Sequence, residues 1–94
     1  MEFQKGENSI FHENEEGEEI AVITFKPVGD SNEVVDADHT FVDPSLRGQG
    51  VAEQLVDRLV EEMEKEGKKI KPSCPYVVEL FKRKPDKYGH IEAK

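Results

Sequence analysis

His39-Thr40-Phe41-Val42-Asp43-Pro44-Ser45-Leu46-Arg47-Gly48-Gln49-Gly50-Val51-Ala52 is the stretch whose reading decides the fold. It starts as the end of a strand, Glu33 to Val42, rich in β-branched and aromatic residues. Asp43-Pro44-Ser45 breaks that strand, because proline cannot donate to a ladder. From Val51 the period changes: Val51, Leu55, Leu59 and Met63 recur every four residues, and Val56 and Val60 widen the stripe. The spacing predicts an amphipathic helix of about four turns. Glu53, Asp57, Arg58, Glu61, Glu62 and Lys65 are expected on its solvent side, and Gly67 is a good left-handed stop.

Toward the N-terminus, Glu19 to Lys26 alternates Ala21, Ile23 and Phe25 against Ile20, Val22 and Thr24, which predicts a strand buried on both faces. Asn14-Glu15-Glu16-Gly17 and Pro27 to Asn32 read as turns, and Ser9 to His12 as a short strand. Toward the C-terminus, Lys69-Ile70-Lys71 predicts a short strand. Pro75 fits the first position of a second helix with an apolar face of Val77, Leu80 and Phe81, and Pro85 ends it. Asp86 to Lys94 is expected to be loosely ordered, with Tyr88 and Ile91 as residues able to dock. The order strand-strand-strand-helix-strand-helix implies an α+β (mixed α/β) domain with a largely antiparallel sheet and two helices. The strands flanking the first helix pair in parallel across a crossover.

The 94 residues suit one domain. A net charge of −8 repels phosphate backbones, so nucleic acid is not an expected partner; an acidic balance instead suits a cationic substrate such as an amine. The single cysteine, Cys74, forms no internal disulfide and fits a reducing, cytoplasmic setting. No apolar run reaches membrane-spanning length. His12, His90 and Cys74 lack zinc-ligand spacing, so no metal is expected.

Arg47-Gly48-Gln49-Gly50-Val51-Ala52 falls between a strand and a helix. The first N–H groups of a helix lack internal partners and sit at the positive end of its dipole. Glycines let the backbone approach a phosphate, and Arg47 can add a charge-assisted contact, so the turn suits a pyrophosphate. A bare Gly-x-Gly serves chain reversal equally well. Neither a Walker-type lysine nor a third glycine of a dinucleotide fingerprint follows.

Arg47-x-x-Gly50-x-Ala52 resembles the Arg/Gln-x-x-Gly-x-Gly/Ala signature of the GNAT superfamily of N-acetyltransferases. The strand His39 to Pro44, the pairs Leu55-Val56 and Leu59-Val60, and the segment Lys71-Pro72-Ser73-Cys74-Pro75-Tyr76-Val77 resemble that superfamily too, the last resembling a small, truncated subgroup. The resemblance is clear from Glu33 to Lys84. It implies that Gly48, Gln49, Gly50, Val51 and Ala52 bind the pyrophosphate of acetyl-coenzyme A, and that the backbones of Phe41 and Val42 pair with its pantetheine arm as an added strand. It implies transfer of an acetyl group to an amine, either a small molecule or a protein lysine. The helices that often shape the acceptor pocket in this superfamily, between its first and second strands, are missing.

Acyl transfer to an amine needs a base, donors for the oxyanion, and an acid for the leaving thiolate. Cys74, as N-cap of the second helix, is a candidate acid or nucleophile, where the superfamily often has an asparagine; a small buried core cysteine is its plain alternative. His39 is a candidate base, expected to share strand parity with Ala37 and Phe41. Tyr76 is a candidate proton donor, or simply aromatic packing. Lys68, Lys69 and Lys71 read as a solvated turn before they read as a 3′-phosphate site. Three functions are thus open: an N-acyltransferase, a non-catalytic acyl-coenzyme A sensor, and an interaction module that offers a sheet edge to a partner.

Overall fold

The computed structural model describes residues 1–30 and 32–93. Five strands lie in one sheet in the order β1-β2-β3-β4-β5. They are β1 (Gln4–Lys5), β2 (Ser9–Glu13), β3 (Glu19–Pro27), β4 (Val34–Val42) and β5 (Lys69–Pro72). The first four pair antiparallel because short turns join them; Asn14 Oδ1, for example, accepts from the N–H groups of Glu16 and Glu18 at 2.9 and 3.0 Å. β4 and β5 pair in parallel, and the helix α1 (Val51–Glu66) makes the crossover between them. Two further helices follow, α2 (Pro75–Arg83) and α3 (Pro85–Tyr88). The expected α+β class holds, and the six expected elements appear in their order; β1, which the mixed Met1–Ser9 stretch does not announce, precedes them, and α3 follows them. Ser31, in the turn read over Pro27 to Asn32, and Lys94, at the end of the tail, lie outside the described residues.

One face of the sheet carries the core. Ile10, Ala21, Ile23 and Phe25 point to it and meet the α1 stripe, of which Leu55, Val56 and Leu59 are wholly shielded. Each such side chain contributes about 1.5–3 kcal/mol relative to exposure. The other face behaves differently from the sequence expectation. Ile20, Val22 and Thr24 are only half-buried, so β3 is buried on one face. The reason is that α1 and α2 both bury their apolar sides in the same core, leaving the outer face uncovered.

The tail also differs from expectation. Pro85 does end α2, but it opens α3 as its first residue, giving three helices. Tyr88 stacks on Phe81 with ring centroids 5.0 Å apart, and its hydroxyl donates to Asp57 Oδ1 at 2.6 Å. Ile91 is buried, and the chain around it closes the far edge of β5: Ile70 N–H donates to Ile91 O and Ala93 N–H to Ile70 O, each at 2.8 Å. Two apolar anchors, the Tyr88–Asp57 bond and the backbone bonds to Ile70 together dock the tail.

Tyr88→Ala should therefore lower the unfolding free energy by about 3–5 kcal/mol in urea titrations, the usual loss for a buried aromatic ring. A loss below about 1 kcal/mol, the scale of an ordinary surface substitution, would mean that the tail does not anchor the core.

Candidate functional site

β4 and β5 pair only as far as Ala37↔Pro72. There the Ala37 carbonyl accepts from both Ser73 N–H (3.1 Å) and Cys74 N–H (2.9 Å), and β5 turns away into α2. Beyond that point β4 runs on for five more residues with β3 on one side and an open edge on the other. Backbone alternation decides what the edge offers. Asp43 N–H donates to Ile20 O at 2.8 Å, so Asp43, Phe41 and His39 turn their polar groups toward β3. Thr40 and Val42 turn theirs to the cleft. Of the two residues expected to pair with an extended arm, Val42 presents its backbone groups to the cleft and Phe41 does not; Thr40 presents its own there.

A bulge changes the side-chain parity as well. Thr24 opposes His39 and Phe25 opposes Ala37, which leaves Asp38 as an extra residue. His39 shares a face with Phe41, as expected, but not with Ala37: the extra residue moves it to the outer, solvent-exposed face. Thr40 falls on the core face, paired with Ile23. Cys74, only 7% exposed, caps α2 and brings Sγ within 3.5 Å of Thr40 Oγ1. His39 and Cys74 therefore flank the parting strands from opposite faces.

At the far end of the open edge stands the glycine turn. Asp43 Oδ1 accepts from Ser45 N–H and Oγ–H, fixing a short 3₁₀ turn over Pro44–Leu46, and these bonds hold the Asp43 carboxyl below its ordinary range. Gly48 and Gly50 have φ of +83° and +74°, a left-handed conformation that side chains disfavour. The first α1 hydrogen bond runs from Gln54 N–H to Gly50 O, so the N–H groups of Val51, Ala52 and Glu53 are left over. A cavity of about 200 Å³ lies between Val42, Leu46, Arg47 and the turn. Arg47 Nε donates to Val42 O at 3.3 Å, which holds the guanidinium beside that cavity.

Tyr76 is half-buried. Burial first, and then the nearby Glu53 carboxylate, push its phenol above the ordinary value, so it stays protonated at neutral pH. Glu53, expected on the solvent side of α1, is instead held by partners from the C-terminal segment. It accepts from Lys84 Nζ (2.8 Å) and Lys87 Nζ (3.0 Å), and Asp57 takes Lys87 (3.2 Å) as well as Tyr88. Those bonds hold Glu53 down at about 2 and raise Lys87. An acidic residue in the first turn of α1 is in this way balanced by two lysines close to the glycine turn. Lys68 pairs with Glu66, and Lys69 donates to the His90 carbonyl, which ties these two lysines into the β5 end of the fold; Lys71 is exposed. Among the described residues, no cluster of metal-ligating side chains forms, and no helix is long and apolar enough to cross a membrane.

A sequence model of the GCN5-related N-acetyl-transferase family matches residues 9–91. A GCN5-like candidate N-acetyltransferase from Staphylococcus aureus is 32% identical, with 98% of this chain and 87% of that one covered and a TM-score of 0.78. A GNAT family N-acetyltransferase from Escherichia coli, solved in complex with coenzyme A, is 28% identical over 68% of this chain and 38% of its own, with a TM-score of 0.61. A ribosomal-protein-alanine N-acetyltransferase from Brucella melitensis, 22% identical over 92% of this chain and 62% of its own, shares the fold at a TM-score of 0.56. No curated protein matches. The chain belongs to the GCN5-related N-acetyltransferase family, and the match takes in the β2–β3 hairpin, beyond the stretch from Glu33 to Lys84 where the resemblance is plainest.

The pH dependence of stability follows from Glu53. Its folded-state value lies below the ordinary 4.5, so its contribution is complete above about 4.5 and is lost as pH falls through about 2. Thermal melts between pH 6 and pH 2, read by circular dichroism, should show a steeper acid loss for the wild type than for Glu53→Gln. Parallel profiles would contradict the lysine clamp.

Proposed function

We propose that this domain, spanning residues 1–94, is an acetyl-coenzyme A-dependent N-acetyltransferase acting on an amine. The observation that carries the reading is the open β4 edge, which runs from the Cys74 sulfur at one end to the glycine turn at the other. The residues fit the cofactor on three counts. The Thr40 backbone and the Val42 N–H present groups at strand spacing, as an extended amide-bearing arm requires, while the Val42 carbonyl accepts from Arg47. The left-handed glycines and the free N–H groups of α1 suit a pyrophosphate, with Arg47 beside them. The Glu53 charge that would oppose an anion there is offset by Lys84 and Lys87.

Acetyl-coenzyme A supplies the acetyl group and the leaving thiol. His39, exposed at the parting of the strands, takes a proton from the incoming ammonium group, and the freed nitrogen lone pair forms the new C–N bond. As the C–S bond breaks, Cys74 donates its S–H proton to the departing sulfur, and the second nitrogen proton passes to solvent. Cys74 then regains a proton from water. In the alternative route Cys74 Sγ would take the acetyl group as coenzyme A leaves as its thiol with the Cys74 proton, and the amine would then displace Sγ, which takes an N–H proton as the C–N bond forms. Tyr76, kept protonated, is the other available donor. One observation favours a non-catalytic sensor instead: β2 and β3 are joined by a tight turn, so no helices wall off an acceptor pocket on the outer face.

Calorimetric titration with acetyl-coenzyme A should show saturable binding, weakened roughly tenfold or more by Gly50→Val, whose side chain disfavours φ +74°. Equal affinity in both proteins, or heatless titrations, would overturn the cofactor site. Intact mass after incubation without amine separates the routes: an added acetyl group that Cys74→Ser abolishes marks the covalent path. Turnover of added amines, absent in a pure sensor, decides for the enzyme.

A further inference from the structure

Burial along β4 alternates from Val34 to Ala37 and then breaks: Asp38 and His39 are both exposed. The bulge is the cause, since two successive residues of β4 face Thr24 of β3. Thr24 Oγ1 donates to Asp38 Oδ1 at 2.6 Å, and Thr24 is also the cross-strand partner of His39. A carboxylate and an imidazole therefore stand side by side on the outer face. They do so one residue past Ala37, where β5 leaves.

We infer that Asp38 and His39, brought together by this bulge, form the recognition site for a primary alkylammonium group at the mouth of the cleft. The use of the site in catalysis rests on the acetyl-transfer reading; its capacity to bind does not. A primary amine arrives at neutral pH as an ammonium ion, which must first be held as a cation and then lose a proton. Asp38 holds the cation and His39 accepts the proton. In the transfer that follows, the nitrogen bonds to the acetyl carbon, the C–S bond breaks, and one N–H proton replaces the acetyl group on the departing sulfur by way of Cys74 and water.

Three features shape the ligand class. Lys26 lies 3.9 Å from Asp38 Oδ2 with 64% of its side chain exposed. A pair this loose and wet contributes little, so an ammonium ligand can displace it. Next to His39 on the same face, Phe41, paired with Val22 and through it with Phe11, gives an apolar floor for a methylene stem. Asp36, also on this face, keeps Oδ1 buried without a hydrogen-bond partner. Asp36 stands between Lys26 and Lys71 in the register, so the exposed Asp38 carboxylate and the apolar strip are what the face offers, which suits an ammonium on a flexible alkyl chain, and the net charge of −8 draws cations toward it. A lysine side chain and a small diamine share that chemistry.

The test uses 1,5-diaminopentane and Nα-acetyl-lysine methylamide as probes. In amide NMR spectra without cofactor, 1,5-diaminopentane should shift Thr24, Asp38 and His39, and Asp38→Asn, which keeps an acceptor for Thr24, should weaken this roughly tenfold or more. In acetyl-transfer assays Asp38→Asn should raise KM for the amine by a similar factor while KM for acetyl-coenzyme A holds, and Asp38→Glu should recover part of the loss. Preference for the lysine derivative marks a peptide substrate, and preference for the diamine a small molecule. Shifts at Asp38 without turnover of any amine would sink the acetyl-transfer reading and keep the ammonium site. Turnover with unchanged amine KM in Asp38→Asn, shifts centred elsewhere, or no shifts at all would overturn the site itself.

Discussion

The carbonyl of Ala37 governs this architecture. It takes the N–H groups of Ser73 and Cys74 together, and that double acceptance ends the parallel pairing of β4 with β5. Had β5 continued, Thr40 and Val42 would be filled by a neighbouring strand and Cys74 would sit elsewhere. Because it stops, the β4 edge past Ala37 is left unpaired, and three further features lie along it: a thiol held against Thr40, the β3–β4 bulge that turns Asp38 and His39 outward, and the glycine turn. The parting is maintained from both sides. Pro72 and Pro75 bracket the Ser73–Cys74 turn, and the core under Val77 and Leu80 fixes where α2 starts.

The rest of the chain serves to hold those pieces at fixed separations. α1 carries the glycine turn at one end and packs its apolar stripe under β3, which fixes the height of the turn relative to the β4 edge. The C-terminal segment locks α1 to α2: Tyr88 stacks on Phe81 of α2 and bonds Asp57 of α1, while Lys84 and Lys87 close on Glu53. The same ion pairs that secure the tail also neutralise an acidic residue beside the turn. Structural support and site electrostatics are here one set of bonds.

Much of this was written locally in the chain. The strand-to-helix change at Asp43–Val51 shows itself in a shift of period from two to nearly four, and the glycine turn between is visible as composition. Cys74 as a helix cap follows from Pro75. What local sequence could not show was anything that depends on pairing. The extra residue at Asp38 exists only relative to β3, so the faces of His39 and Ala37 could not be separated by counting along β4. Ile20, Val22 and Thr24 look like core residues because they are apolar or β-branched; they are half-buried because no helix crosses their face. Glu53 and Asp57 read as solvated because their partners, Lys84, Lys87 and Tyr88, lie on another element. Tyr88 and Ile91 form too short a pattern to announce a docked tail.

The account stands on the cleft edge of β4 being a binding edge, and amide hydrogen exchange measures this residue by residue. On saturation with coenzyme A, the Thr40 and Val42 amides should slow markedly. Phe41, already turned to β3, should change little. Unchanged exchange at Thr40 and Val42 under saturating ligand would contradict the claim that this edge receives the cofactor.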